Sequence, residues 1–183
     1  MILPVFLYGS PVLRKVAADI PEDYEGLDEL VESLFETMYS SEGVGLAAPQ
    51  VGKSLRIFVV DASPLEEDDP SLKDFKKVFI NPVITSYEGE LSTYNEGCLS
   101  IPEIREDVDR ETAIRIRYCD TGFKYKEEYY DGIAARIIQH EYDHLEGRLF
   151  TDMISPIRKR LLKRKLTSIS KGRVDVKYRV KHL

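Results

Sequence analysis

At 183 residues, with 43% apolar and 32% charged side chains, the chain suits one domain, residues 1–183, with a real hydrophobic core. No apolar run reaches the length of a membrane span, and Pro4, Gly9 and Pro11 interrupt the start, so neither a signal peptide nor a transmembrane helix is expected. Two cysteines 21 positions apart exclude a disulfide framework and fit a reducing cytoplasm.

In chain order, apolar spacing predicts a helix over Leu27 to Tyr39. Gly43-Val44-Gly45-Leu46-Ala47-Ala48-Pro49-Gln50 follows. Its small residues admit a close backbone approach, and Gln50 brings a side-chain amide able to donate to a developing oxyanion. A plain tight turn is the alternative reading. Strands are expected over Leu55 to Val60 and Val78 to Ile84, separated by an acidic surface insertion, Ser63 to Lys77. Thr112 to Cys119 and Phe123 to Tyr130 should form a hairpin around Asp120-Thr121-Gly122. Asp131 and Gly132 open a further helix that Gly147 can close. A last helix should run from Pro156 to about Ser170, and Val174 to Val180 alternates like a strand. Strands grouped around one helix indicate an α+β domain, with antiparallel or mixed sheets packed around the histidine-bearing helix, rather than a parallel βαβ sheet.

That helix carries Gln139-His140-Glu141-Tyr142-Asp143-His144-Leu145-Glu146-Gly147. Histidines four apart lie about one turn apart on one face, where they can share a metal ion and leave the adjacent carboxylate free to move a proton. Ile133, Ile137, His140 and His144 form one stripe with Glu141 at its edge, and Ala134, Ile138 and Leu145 form an apolar neighbour. Two hydrogen-bonded core histidines are the plainer alternative.

A catalytic zinc-like ion usually takes three protein ligands and keeps an open position. Phe150 stands where the extended metzincin pattern needs a third histidine, and no glutamate occurs after Gly147 to serve as in thermolysin-like proteases. The third ligand should therefore lie upstream, and Cys98 within Glu96-Gly97-Cys98-Leu99-Ser100 is the candidate. The alternative is a small buried hydrophobe. Cys119, on the arginine side of its strand, is read as incidental.

The motifs GVGLAAPQ, EGCLS and QHEYDHLEG, in that order, resemble those of the peptide deformylase family, and the likeness extends to Gly9-Ser10-Pro11-Val12-Leu13-Arg14 and Ile101-Pro102-Glu103. The resemblance implies a metal-dependent hydrolase that removes the formyl group from the N-terminal formylmethionine of nascent peptides. It implies Cys98, His140 and His144 as ligands of Fe2+, with Zn2+, Ni2+ or Co2+ able to substitute. Glu141 would be the general acid/base, with Gln50 and the Leu99 N–H binding the oxyanion. Val44, Gly45 and Gly97 would lie beside the peptide backbone. Val44, Ile133 and Ile137, with Tyr94 at the side, would line the methionine pocket. Tyr94 and Arg136 depart from the aliphatic residues that many relatives carry, and Arg136 is expected to snorkel at the pocket rim.

From Pro156 onward there are eleven Lys or Arg and one acid, against 15 basic and 31 acidic residues before it, so a +10 segment follows a −16 body. This segment, 156–183, could contact ribosomal RNA, or be a solvated helix and strand. Two rival functions are a closed structural metal module with a fourth protein ligand, and a general zinc peptidase acting on unformylated peptides.

Overall fold

The computed structural model describes residues 1–182; Leu183, the last residue of the basic segment, lies outside them. The elements are β1 (Val5–Phe6), α1 (Leu27–Ser40), β2 (Gly45–Ala47), β3 (Ile57–Asp61), β4 (Lys76–Cys98), β5 (Ile101–Cys119), β6 (Tyr125–Asp131), α2 (Gly132–Leu145), α3 (Pro156–Ser170) and β7 (Val180–Lys181). Strands β2 to β6 form an antiparallel sheet in sequential order, while β1 pairs with β7 in parallel. The architecture is α+β, as expected.

All five residues of β3 are buried, because alternate side chains enter different cores. Phe58 and Val60 join Phe79, Ile114, Ile116 and Tyr118, and meet Ala135, Ile138 and Leu145 of α2. Ile57 and Val59 join Ile80 in a second core closed by Leu30, Leu34 and Met38 of α1. Strand β3 is thus covered on both faces, by α2 on one side and α1 on the other. Phe79, stacked on Phe58 with ring centroids 4.7 Å apart, is the kind of contact whose truncation to alanine costs about 3–5 kcal/mol.

The expected strands at Val78 and Thr112 cover only parts of β4 and β5. Register shifts between Ile80/Val83, Ile84/Ser86, Glu88/Leu91 and Gly97/Cys98 insert unpaired residues, and Asn81 and Gly89 take positive φ of 50° and 79° there. Such bulges break the period-two pattern while the pairing continues. The long bent hairpin they produce turns at Leu99-Ser100 and carries Cys98 at its tip, beside α2.

Helix α2 begins after Asp131 as expected, and Gly147 follows its end at φ 69°. A Cβ at Gly147 would also lie 2.7 Å from the Arg14 carbonyl oxygen, so only glycine fits. Burial of α2 goes further than its apolar stripes, since Arg136, Gln139 and Asp143 are buried too. Arg136 is therefore not a rim arginine: hydrogen bonds to Glu96, Val108 O and Ser92 O draw it inward.

Helix α3 spans the expected residues, its first turn capped by the Ser155 hydroxyl accepting from Arg158 N–H at 3.3 Å. It is mostly exposed, but Leu166 and Ile169, with Leu162 beside them, reach a third core with Leu7, Ile101, Ile104 and Phe150. In the strand-like segment after it, only Val180 and Lys181 pair, yet residues 174, 176, 178 and 180 are the more buried ones, so the alternation is real without a full strand. Among the described residues no helix is long and apolar enough to cross a membrane.

Candidate active site

The hairpin tip and α2 bring three sequence candidates together. Cys98 Sγ lies 3.3 Å from His144 Nε2, and one donor atom each from Cys98, His140 and His144 all lie within 4.8 Å of one another. Ligand bonds of about 2.0–2.3 Å in a tetrahedral site separate neighbouring donors by roughly 3.3–3.8 Å, so a small rearrangement suffices to close this set on one ion.

The protonation pattern suits the same purpose. Glu96 is 4% exposed, and burial would raise its pKa, but hydrogen bonds from His140 and Arg110 hold it well below the usual carboxylate range. A carboxylate only accepts, so His140 Nδ1, 3.0 Å from Glu96 Oε2, carries a hydrogen and leaves Nε2 to face an ion. His140 titrates well above the ordinary histidine value, because the bonds to Cys98 and Glu96 outweigh burial, and an arriving ion would displace that proton. Burial, then the charge on His140, push His144 well below the ordinary value and keep it neutral. Its Nδ1 is buried without a hydrogen-bond partner among the described residues. One thiolate and two imidazoles are a donor set for a borderline ion such as zinc or ferrous iron.

Glu141 points toward the Gly45 backbone on β2. Burial pushes its carboxyl up to about 7, and its Oε2 is buried without a partner among the described residues. A Cβ on Gly45 would stand 2.6 Å from Glu141 Oε1, so the glycine makes the room the carboxyl occupies. Gln50 is locked as well: Ala47 N–H donates to its Oε1 at 2.9 Å, so its NH2 turns toward Cys98 Sγ at 3.5 Å and Ser100 Oγ at 3.3 Å. The motif that could have been a plain turn is a short strand followed by a 3-10 turn, Ala48–Val51, that aims this amide.

These groups open onto a cleft of about 550 Å³. Val44, Gly45, Gln50, Tyr94, Gly97, Cys98, Leu99, Ile133, Ile137, His140 and Glu141 all line it. His144 lies beneath, 1% exposed. Cys119 sits apart, half-buried against the core under α1.

Sequence reasoning gave no role to Glu96, Arg110 or Asp143. Arg110 donates through Nε to Glu96 Oε1 at 2.7 Å and through a terminal nitrogen to Asp143 Oδ2 at 2.8 Å, and Arg136 donates to Glu96 Oε1 at 3.0 Å. This buried ion network ties β4, β5 and α2 to the His140 ring. Its signal lay in β5, where Ile104, Glu106, Val108 and Arg110 alternate on the buried face. A charged residue on such a face needs a buried partner.

Residues 2–160 match the polypeptide deformylase family. The peptide deformylase of Flavobacterium johnsoniae is 52% identical over 188 aligned residues, covering 99% of this chain and 96% of that one. That of Cytophaga hutchinsonii is 53% identical, with 99% and 97% covered. A crystal structure of a peptide deformylase from Legionella pneumophila matches with a TM-score of 0.81 at 35% identity, over 94% of this chain and 97% of that one. With matches of this extent and a cysteine sulfur and two imidazoles gathered within 4.8 Å of one another, the chain belongs to the polypeptide deformylase family.

Proposed function

We propose that this metal-dependent hydrolase of formylated nascent peptides works through Cys98, His140 and His144 as ligands of one divalent ion and Glu141 as the proton carrier. The native ion in this reading is ferrous iron, with zinc, nickel or cobalt able to substitute. When bound, the ion supplies Lewis-acid chemistry, making water nucleophilic near neutral pH and polarising the formyl carbonyl. Glu141 takes a proton from the attacking water and returns it to the leaving amine, a task suited to a carboxyl that burial has brought up to about 7. Gln50 Nε2 and the Leu99 N–H donate to the oxygen on which charge develops.

The peptide backbone lies beside Val44, Gly45 and Gly97 as an added strand, a mode that asks little of the side chains after methionine. Val44, Ile133, Ile137 and Tyr94 take the methionine side chain. The observation that carries the reading is the grouping of three ligand atoms within 4.8 Å of one another, at the floor of a cleft that also holds a Glu141 oxygen without a partner among the described residues and the locked Gln50 amide.

Residues 1–183 act in this reading as one catalytic domain in the cytoplasm, with the basic segment 156–183 touching ribosomal RNA. Lys159, Arg160, Lys163 and Arg164 are exposed on α3, while Arg158 is engaged by Glu106.

Metal analysis and a formyl-Met-peptide assay, run on the same preparations, test the assignment. Glu141→Ala should keep its metal and lose turnover, whereas Cys98→Ala, His140→Ala and His144→Ala should lose both. A metal-free Glu141→Ala protein, or a Cys98→Ala protein with full metal and rate, would overturn the roles given.

A further inference from the structure

Beyond residue 160, where the family match stops, the chain returns to the active site. After α3 it turns at Lys171-Gly172, with Gly172 at φ 71°. Val174 and Val180 then pack on the core of Leu7, Ile101 and Phe150, and between them Asp175, Val176 and Tyr178 line the cleft. The stretch is anchored at both ends: Val5 N–H donates to Arg179 O at 2.9 Å, and Asp175 N–H to Glu103 Oε1 at 3.4 Å. From this fixed position the Tyr178 hydroxyl donates to the Leu99 carbonyl at 2.8 Å.

We infer that Tyr178 is a positioning residue for deformylation, and that Val176 and Tyr178 form a fixed wall for the peptide downstream of the formylated residue. The inference rests on the reading of Leu99 N–H as an oxyanion donor. Leu99 and Ser100 are the two residues of the hairpin turn, so the torsions of Leu99 decide how that corner sits over the cleft. Its neighbour is held by Tyr8 N–H donating to Ser100 O at 2.8 Å and by Gln50 Nε2 donating to Ser100 Oγ at 3.3 Å. The Leu99 carbonyl is held by Tyr178. Rate falls steeply when a donor departs from the geometry the oxyanion needs, so a bond that narrows the motion of this turn acts on kcat. The tail meets the cleft at the β4–β5 turn, through Leu99 and Glu103, whereas the residues read as the methionine pocket, Val44, Tyr94, Ile133 and Ile137, lie on other segments of the lining. Its half-buried side chains therefore offer surface to residues that follow methionine.

Steady-state kinetics of the metal-loaded enzyme on a formylated dipeptide and a formylated tetrapeptide test both parts. Tyr178→Phe keeps the ring and removes one hydrogen bond, so kcat should fall about three- to tenfold on both peptides, with KM and metal content unchanged. Tyr178→Ala should in addition raise KM about fivefold for the tetrapeptide alone. Val176→Ala, which leaves the hydroxyl in place, should raise only the tetrapeptide KM, and keeps the wall testable if Tyr178→Ala folds poorly. Wild-type kcat in Tyr178→Phe would overturn the positioning role, and equal KM changes on both peptides would overturn the wall. Replacing the Leu99 N–H by an ester oxygen removes that donor and leaves Tyr178 in place; unchanged kcat there would instead sink the oxyanion reading itself, so the two failures are told apart.

Discussion

Substitution of Gly45 by alanine tests how tightly the fold places Glu141, the proposed proton carrier. The new methyl group would lie 2.6 Å from Glu141 Oε1, 2.8 Å from Cγ and 2.9 Å from Cδ, whereas ordinary carbon contacts begin near 3.5 Å. Gly45 is a buried residue of β2, paired with Val60, so the strand cannot retreat without breaking sheet register. The carboxyl must move instead, by something approaching 1 Å, and a misplacement of that size costs on the order of 100-fold in rate. Overpacking should also lower stability by about 1–3 kcal/mol. No metal ligand is touched, so metal content should stay at the wild-type level, and although Gly45 also lines the cleft the loss should fall chiefly on kcat. Kinetics on a formyl-Met peptide, metal analysis and urea unfolding give the three readings. Two results would refute the reasoning: a kcat within threefold of wild type, or a rise in KM with kcat retained, which would make Gly45 a substrate contact alone.

Gln50→Ala should lower kcat about 100- to 1,000-fold with little change in KM, since its bond strengthens as the oxyanion forms, and an effect confined to KM would make it a ground-state contact. Glu96→Gln leaves Arg136 without its anionic partner, leaves Arg110 with Asp143 alone, and loosens His140. Metal affinity in chelator competition should drop about 10- to 100-fold and urea stability by about 3–5 kcal/mol; wild-type values in both would remove the network from the metal site. Charge reversal at Lys159, Arg160, Lys163 and Arg164 should weaken co-sedimentation with ribosomes in a salt-dependent way without slowing hydrolysis of a short peptide, and equal pelleting at low salt would leave α3 as a structural element.

The site was more legible than the scaffold that carries it. Short-range chemistry announces itself: His140 and His144 at one-turn spacing, Glu141 beside them and Cys98 between Gly97 and Leu99 needed only a helix and a turn to be understood. The helix boundaries of α2 and α3 followed from glycine and proline, whose backbone preferences act locally. The long hairpin did not follow, because its bulges at Asn81, Gly89 and Gly97 erase the alternation by which a strand is recognised. Arg136 reads as a surface residue on α2 until Glu96, 40 positions earlier, is brought against it. Tyr178 gives no sign of its partner, since the contact with Leu99 spans 79 positions.

The Glu96 network has a consequence for how the protein acquires its ion. Zinc fingers are unfolded until metal arrives, because the metal supplies their folding energy. Here both cores flanking the sheet close without any ligand residue, and Arg110, Arg136 and Asp143 fasten Glu96 and α2 in place independently of the ion. These contacts predict that chelation leaves a folded apoprotein with the His140 ring still held by Glu96. One polypeptide could then be emptied and refilled with different divalent ions in succession, making the ion an exchangeable part of a standing frame.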